Sequence, residues 1–188
     1  MNTPLWTQYG LDPNTGNPPM AMDYRHVEML HAEILKARPK VAVEIGSHKG
    51  HSLVAFLEAM KELPEMEVHV FEPNPTDTLW QMVKEPYFTK RISVHPRPVW
   101  TYDMRPDFVF IDGDHGIPAL ADLAWCLTKY VPVIAMHDTR TAARLKNCDG
   151  AAAVANLLRG MGTREWREDH EDRPNEWTWR GFGVSTVR

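Results

Sequence analysis

The stretch Asp107-Phe108-Val109-Phe110-Ile111-Asp112-Gly113-Asp114-His115-Gly116 is an apolar run that stops in a knot of ionisable side chains. A short apolar run bounded by turn residues reads as a strand buried on both faces, and in an open α/β sheet ligands sit beyond the carboxyl ends of such strands. Chemistry is therefore sought first in the residues that follow Ile111.

The same pattern recurs on either side. Val41 to Gly46 is a strand, and Ser47-His48-Lys49-Gly50 turns it into a helix carrying Leu53, Val54, Phe56, Leu57 and Met60 on one side. Val68 to Glu72 is a second strand stopped by Pro73-Asn74-Pro75, Thr76 or Asp77 opens a helix through Val83, and a third strand lies near Ile92 to His95. Roughly ten proline-rich residues then lead into the quoted run, so the usual crossover helix is short or absent there. Beyond the run, Pro118 opens a helix bearing Leu120, Leu123, Ala124, Leu127 and Tyr130, and Val131 to Met136 is a fifth strand ending at His137-Asp138-Thr139. Ala151 to Leu158 forms a helix closed by Gly160 and Gly162, and Thr163–Asp169 with Thr178–Val187 forms a terminal hairpin across Arg173-Pro174-Asn175.

At the other end, Asp23 caps a helix over 24–37 with Val27, Leu30, Ile34 and Leu35 at helical spacing, stopped by Pro39. Residues 1–22 hold four prolines and two glycines, which block regular structure; they read as an arm whose Trp6, Tyr9 and Leu11 cover the surface. The expected organisation is this arm and a single domain over 23–188: a Rossmann-like, doubly wound α/β sheet, mostly parallel, with an antiparallel C-terminal edge hairpin.

Composition narrows the function classes. A 188-residue chain with 43% hydrophobic and 24% charged residues can pack an ordinary core. Net charge is -4 and the basic residues form no stripe, so no nucleic-acid partner is expected. No segment is long and apolar enough for a membrane span, the N-terminus has no leader pattern, and Cys126 and Cys148 lack metal or redox spacing; the expectation is a soluble cytoplasmic protein.

Two turns carry the site. Glu44-Ile45-Gly46-Ser47-His48-Lys49-Gly50 is Glu-x-Gly-x-x-x-Gly, whose glycines let a ligand approach the backbone near a helix N-terminus. It is neither a dinucleotide fingerprint nor a phosphate loop. Glu72, 28 positions after Glu44, ends the second strand, where a carboxylate can accept both hydroxyls of a ribose.

With these residues the chain resembles the class I S-adenosylmethionine-dependent methyltransferases, and Phe-Ile-Asp-Gly-Asp-His at 110–115 with Met-His-Asp-Thr at 136–139 resembles the branch of macrocin-type O-methyltransferases and cephalosporin-hydroxylase-like proteins. The resemblance implies that Glu44, Gly46, Ser47, Gly50, Ser52 and Glu72 hold S-adenosylmethionine, with Asp112 beside them and Trp100 against the adenine. It further implies a metal held by Asp112 and the pair after the fifth strand, here His137 and Asp138, with Asp114 as the base for a substrate hydroxyl and His115 and His137 assisting. Carboxylates alone suit Mg²⁺, whereas imidazole at 137 leans toward Mn²⁺, Fe²⁺ or Zn²⁺; without a metal, His115 or His137 is the base. Acids at the ends of adjacent strands repel one another unless something cationic or protonated sits among them.

The expected activity is methylation of a small-molecule hydroxyl, the acceptor pocket being completed by the arm or by a second subunit of a homo-oligomer. The alternative class is a cofactor-binding regulatory or structural protein that keeps the fold without turnover.

Overall fold

The computed structural model describes Met22, residues 24–139, 149–169 and 181–188. The arm apart from Met22, the Asp23 cap, Cys148 and the link between the last two strands lie outside the described residues.

Chain order is α1 (Tyr24–Ala37), β1 (Val41–Ile45), α2 (Leu53–Glu62), β2 (Glu67–Phe71), α3 (Asp77–Val83), β3 (Ile92–His95), β4 (Phe108–Ile111), α4 (Ile117–Thr128), β5 (Val133–His137), α5 (Asp149–Gly160), β6 (Arg164–Glu168) and β7 (Phe182–Val187). The strands form one seven-stranded sheet in the order β3-β2-β1-β4-β5-β7-β6. Strands β1 to β5 pair in parallel, and β7 runs antiparallel to both β5 and β6. This is the Rossmann-like sheet with an antiparallel edge that the alternation of elements predicts.

The period of two along β4 explains its uniform apolarity. Phe108 and Phe110 enter the core layer with α1, α2 and α3, while Val109 and Ile111 enter the opposite layer with α4 and α5. Between β3 and β4 the crossover contains only a 3₁₀ turn, Val99–Thr101, as the short proline-rich link requires. Helix α4 begins one residue before Pro118, which occupies its first turn where no amide donor is needed. Gly160 is the last residue of α5 rather than a stop beyond it.

At the edge, buried Arg164 ties β6 to β7 and to the residues leading into β5. Its guanidinium donates to the carbonyls of Val131 (3.0 Å), Pro132 (3.1 Å) and Ser185 (3.0 Å) and to Ser185 Oγ (2.7 Å). Among the described residues no helix is long and apolar enough to cross a membrane. Cys126 is buried and unbonded, and burial pushes its thiol pKa up, as for a core residue.

Candidate active site

The chain reverses direction across the sheet between β1 and β4, and their carboxyl ends flank a crevice there. Gly46 makes that crevice possible in two ways. Its φ of +80° lies in the left-handed region, and a Cβ on it would run into the Cα of Gly113 and approach the Asp112 carbonyl oxygen to 2.6 Å. Gly50, also at positive φ, serves packing: a Cβ there would strike the Met82 sulfur of α3, and Gly50 lines neither of the cavities described below.

Glu72 organises the loop between these glycines. Its Oε2 accepts from the backbone N–H of Ser47 (3.1 Å) and of His48 (2.8 Å), and its Oε1 from Asn74 (2.9 Å). Ser52 precedes helix α2 without capping it through its side chain; its hydroxyl instead donates to Glu44 Oε1 at 2.5 Å.

Glu44 is fully buried, and its Oε2, like the buried Ser47 Oγ, has no hydrogen-bond partner among the described residues. Burial raises its pKa to about 8, against opposing effects of the Ser52 hydroxyl and of the nearby Ser47 hydroxyl, which falls short of hydrogen-bond geometry. Because the folded-state value exceeds the unfolded 4.5, the native state keeps an extra proton between the two; the associated stability is full below pH 4.5 and is lost as pH rises through about 8. Glu44→Gln removes that dependence. Urea unfolding at pH 5, 7 and 9 is expected to show the parent losing up to about 1.4 kcal/mol per pH unit relative to the variant, with the variant the more stable at pH 9; parallel pH curves for the two proteins would contradict the assignment.

Two cavities meet over Gly46, Asp112 and Gly113. The first, about 440 Å³, is lined by Phe71, Glu72, the segment Arg97 to Trp100, Asp114, Pro118 and Asp122. The second, about 170 Å³, is lined by Met22, Ser47, His51, Ser52, His115 and Asp138. His48 borders both.

The acids and imidazoles gather on the second side. His115 Nε2 lies 3.1 Å from Asp138 Oδ2 and 3.7 Å from Asp112 Oδ1, and one ligand atom from each of these three residues falls within 4.8 Å of the others. Buried His137 stands behind them, Nδ1 3.3 Å from Asp112 Oδ1 and 3.6 Å from Asp138 Oδ1. Burial lowers the pKa of His137, but the charges of Asp138 and Asp112 outweigh it and carry the value up to about 10. The same two carboxylates, Asp112 foremost, hold His115 above the ordinary imidazole range. Imidazolium at His137 is thus the cation that lets the acids at the ends of β4 and β5 coexist. Asp138 itself sits at a φ of 56°, an unusual backbone state that aspartate tolerates better than most residues and that recurs at functional sites.

The residues singled out by sequence thus divide. Glu72, Trp100 and Asp114 border the first cavity; Ser47, Ser52, His115 and Asp138 border the second; Gly46 and Asp112 border both. Asp114 is exposed, accepts from the Gly116 N–H at 2.8 Å, and is not a member of the Asp112–His115–Asp138 group. His137 is likewise outside that group, with its Nε2 3.1 Å from His26 Nδ1.

Three participants went unrecognised in the sequence. His26 of α1 backs His137, and Asp169 lies 3.4 Å from His26 Nε2 while holding Arg25 at 2.6 Å; no local pattern marks a helix histidine that a strand end will meet. Asp122 did leave a signal, a lone acid in the apolar helical run Ala119 to Leu127, four residues after Pro118 and so on the same helix face.

A family model described as a methyltransferase domain matches residues 43–139. A search of the curated proteins finds no match. Among solved structures, a Klebsiella pneumoniae protein described as an O-methyltransferase superposes with a TM-score of 0.77 at 16% identity, over 100% of this chain and 91% of that one. An O-methyltransferase from Bacillus cereus, solved with S-adenosylhomocysteine, gives 0.74 at 16% identity over 98% and 87%. TomG of Streptomyces achromogenes, an O-methyltransferase of tomaymycin synthesis solved with S-adenosylmethionine, gives 0.71 at 16% identity over 90% and 82%. These likenesses carry the fold, and the family match spans just over half of the chain, from β1 through the crevice to the residues after β5: the chain belongs to the methyltransferase-domain family.

Proposed function

We propose that this protein is an S-adenosylmethionine-dependent methyltransferase acting on a hydroxyl group of a small molecule. The observation that carries it is the joining of two unlike cavities at Gly46, Asp112 and Gly113: one with a carboxylate and a tryptophan suited to a nucleoside, the other with an acid–imidazole group suited to a hydroxyl.

The residues fit the cofactor. Ser47, which lines the second cavity, has a buried Oγ suited to the polar amino-acid moiety, whereas Glu44 lines neither cavity and supports that wall from within through Ser52. Glu72 uses three acceptor positions on backbone N–H groups and, with about four lone-pair sites on a carboxylate, retains capacity for a ribose hydroxyl. Bound S-adenosylmethionine supplies an electrophilic methyl group. The chain then has only to orient the acceptor and take its proton.

His115 is the proposed base. With Nε2–H donating to Asp138 Oδ2, the acceptor's proton is taken at Nδ1, and Asp112 and Asp138 stabilise the resulting imidazolium. The ring would thereby hold the proton that the acceptor oxygen loses when the sulfonium gives up its methyl group and leaves as the thioether. Asp114, exposed and engaged with Gly116, is a poorer candidate on geometric grounds.

A second reading rests on the 4.8 Å grouping, in which Asp112, His115 and Asp138 hold a divalent cation of the Mn²⁺, Fe²⁺ or Zn²⁺ type that would position the acceptor oxygen. Titration calorimetry with S-adenosylmethionine and S-adenosylhomocysteine tests the main proposal, micromolar binding of both being expected and absence of binding by either at millimolar ligand refuting it. Repeating methyl transfer after exhaustive chelation separates the two readings, since activity that persists without metal supports the base and activity restored only by added cation supports the metal.

A further inference from the structure

Asp122 is 3% exposed, yet it accepts no hydrogen bond from any described residue. A buried carboxyl left in that state carries a large desolvation penalty, and native structures rarely retain one without a reason. Its position supplies one. Asp122 lies one turn after Pro118 on α4, both line the larger cavity, and its Oδ2 stands 3.8 Å from where a Cβ on Gly113 would be. The facing wall is the 3₁₀ segment with Val99 and Trp100, and Trp125 of the same helix locks the two walls together by donating to the Tyr102 carbonyl at 3.0 Å. An aromatic face and an unpaired carboxyl thus share one slot.

We propose that Asp122 recognises the amino-substituted heteroaromatic base of the cofactor, reading its exocyclic amine and N7, the edge on which replacing the amine by an oxygen leaves two acceptors facing the carboxyl. The inference rests on the S-adenosylmethionine reading and goes beyond it by naming the residue that selects the base. Chemistry supports the pairing. A carboxyl group presents an acceptor and, when protonated, a donor at the spacing of adenine's amine and ring nitrogen. Burial, with the charge of Asp114 adding to it, pushes the Asp122 pKa up to about 7, so the donor form is accessible at neutral pH. Glu72, Asp114 and Asp112 border the same cavity, but Glu72 and Asp114 already accept from backbone N–H groups and Asp112 lies against His115 and His137, which leaves Asp122 as the acid with its full capacity for the base.

The test is calorimetric binding of S-adenosylhomocysteine and of its deaminated counterpart, S-inosylhomocysteine, to the parent, Asp122→Asn and Asp122→Ala, with thermal melts confirming that each variant folds. The parent is expected to prefer the adenine compound by about tenfold or more, as befits a buried polar group that its mismatched partner leaves unpaired. Asp122→Asn, whose amide pairs with adenine in the same two-point fashion, is expected to keep both affinity and preference. Asp122→Ala is expected to bind the adenine compound about tenfold or more weakly and to bind the two compounds equally. Unchanged affinity in Asp122→Ala, or weaker affinity with the base preference intact, overturns this assignment and leaves the functional proposal standing. A parent that binds neither compound overturns both.

Discussion

A His115→Ala variant is expected to bind S-adenosylhomocysteine as the parent does while transferring methyl groups about 10²- to 10⁴-fold more slowly, the range that a positioned general base contributes. The two effects separate because His115 borders only the smaller cavity, whereas Glu72, Trp100 and Asp122 border the larger one. The fold should survive, since the His115 side chain is 31% exposed and its charged neighbours Asp112 and Asp138 keep His137 between them. The measurement is S-adenosylhomocysteine release with a hydroxyl acceptor that the parent turns over, alongside calorimetry. Added imidazole should restore part of the lost rate if the missing group is a base. A variant that retains parental turnover would remove His115 from both readings of the site, because the base and the metal reading each require it.

The second large effect is structural. Gly46→Ala is expected to lower stability by on the order of 2–6 kcal/mol, combining about 1–3 for a side chain held at positive φ with about 1–3 for overpacking. The new Cβ would press on Gly113 and the Asp112 carbonyl, so relief requires the ends of β1 and β4 to separate, and the crevice opens with them. Gly160→Ala is the control. Nothing lies within 4 Å of a Cβ at Gly160, and the gain there is expected to be about 0.4–1 kcal/mol from a less flexible unfolded chain. Urea unfolding of the two variants should therefore shift in opposite directions, with cofactor binding lost only in Gly46→Ala.

Two adjacent residues show where local information ends. In the string Asp-Gly-Asp-His the sequence points to Asp114 as the base with His115 assisting, and to His115 as a base where no metal is held. The turn separates them: Asp114 folds back onto the Gly116 N–H, and the start of α5 closes over the same turn, with Ala151 N–H donating to the His115 carbonyl at 3.0 Å. That packing sends the two side chains to different cavities. Gly50 illustrates the same limit, since a glycine beside a ligand and a glycine beneath a methionine of the next helix look identical in a motif.

What the amino-acid order determined by itself is what short-range physics controls: the apolar period of two in Phe108 to Ile111, the helix starts and stops, and hence a parallel sheet whose strand ends carry Glu44, Gly46, Glu72, Asp112 and Asp138. The tertiary structure alone decided which of those ends face one another, how deeply Glu44 and Asp122 are buried, and that His26 from a distant helix backs His137. The reason is physical. Backbone pattern is written in neighbouring residues, whereas pKa, desolvation and side-chain partnership depend on groups brought together only when the helices pack on the sheet.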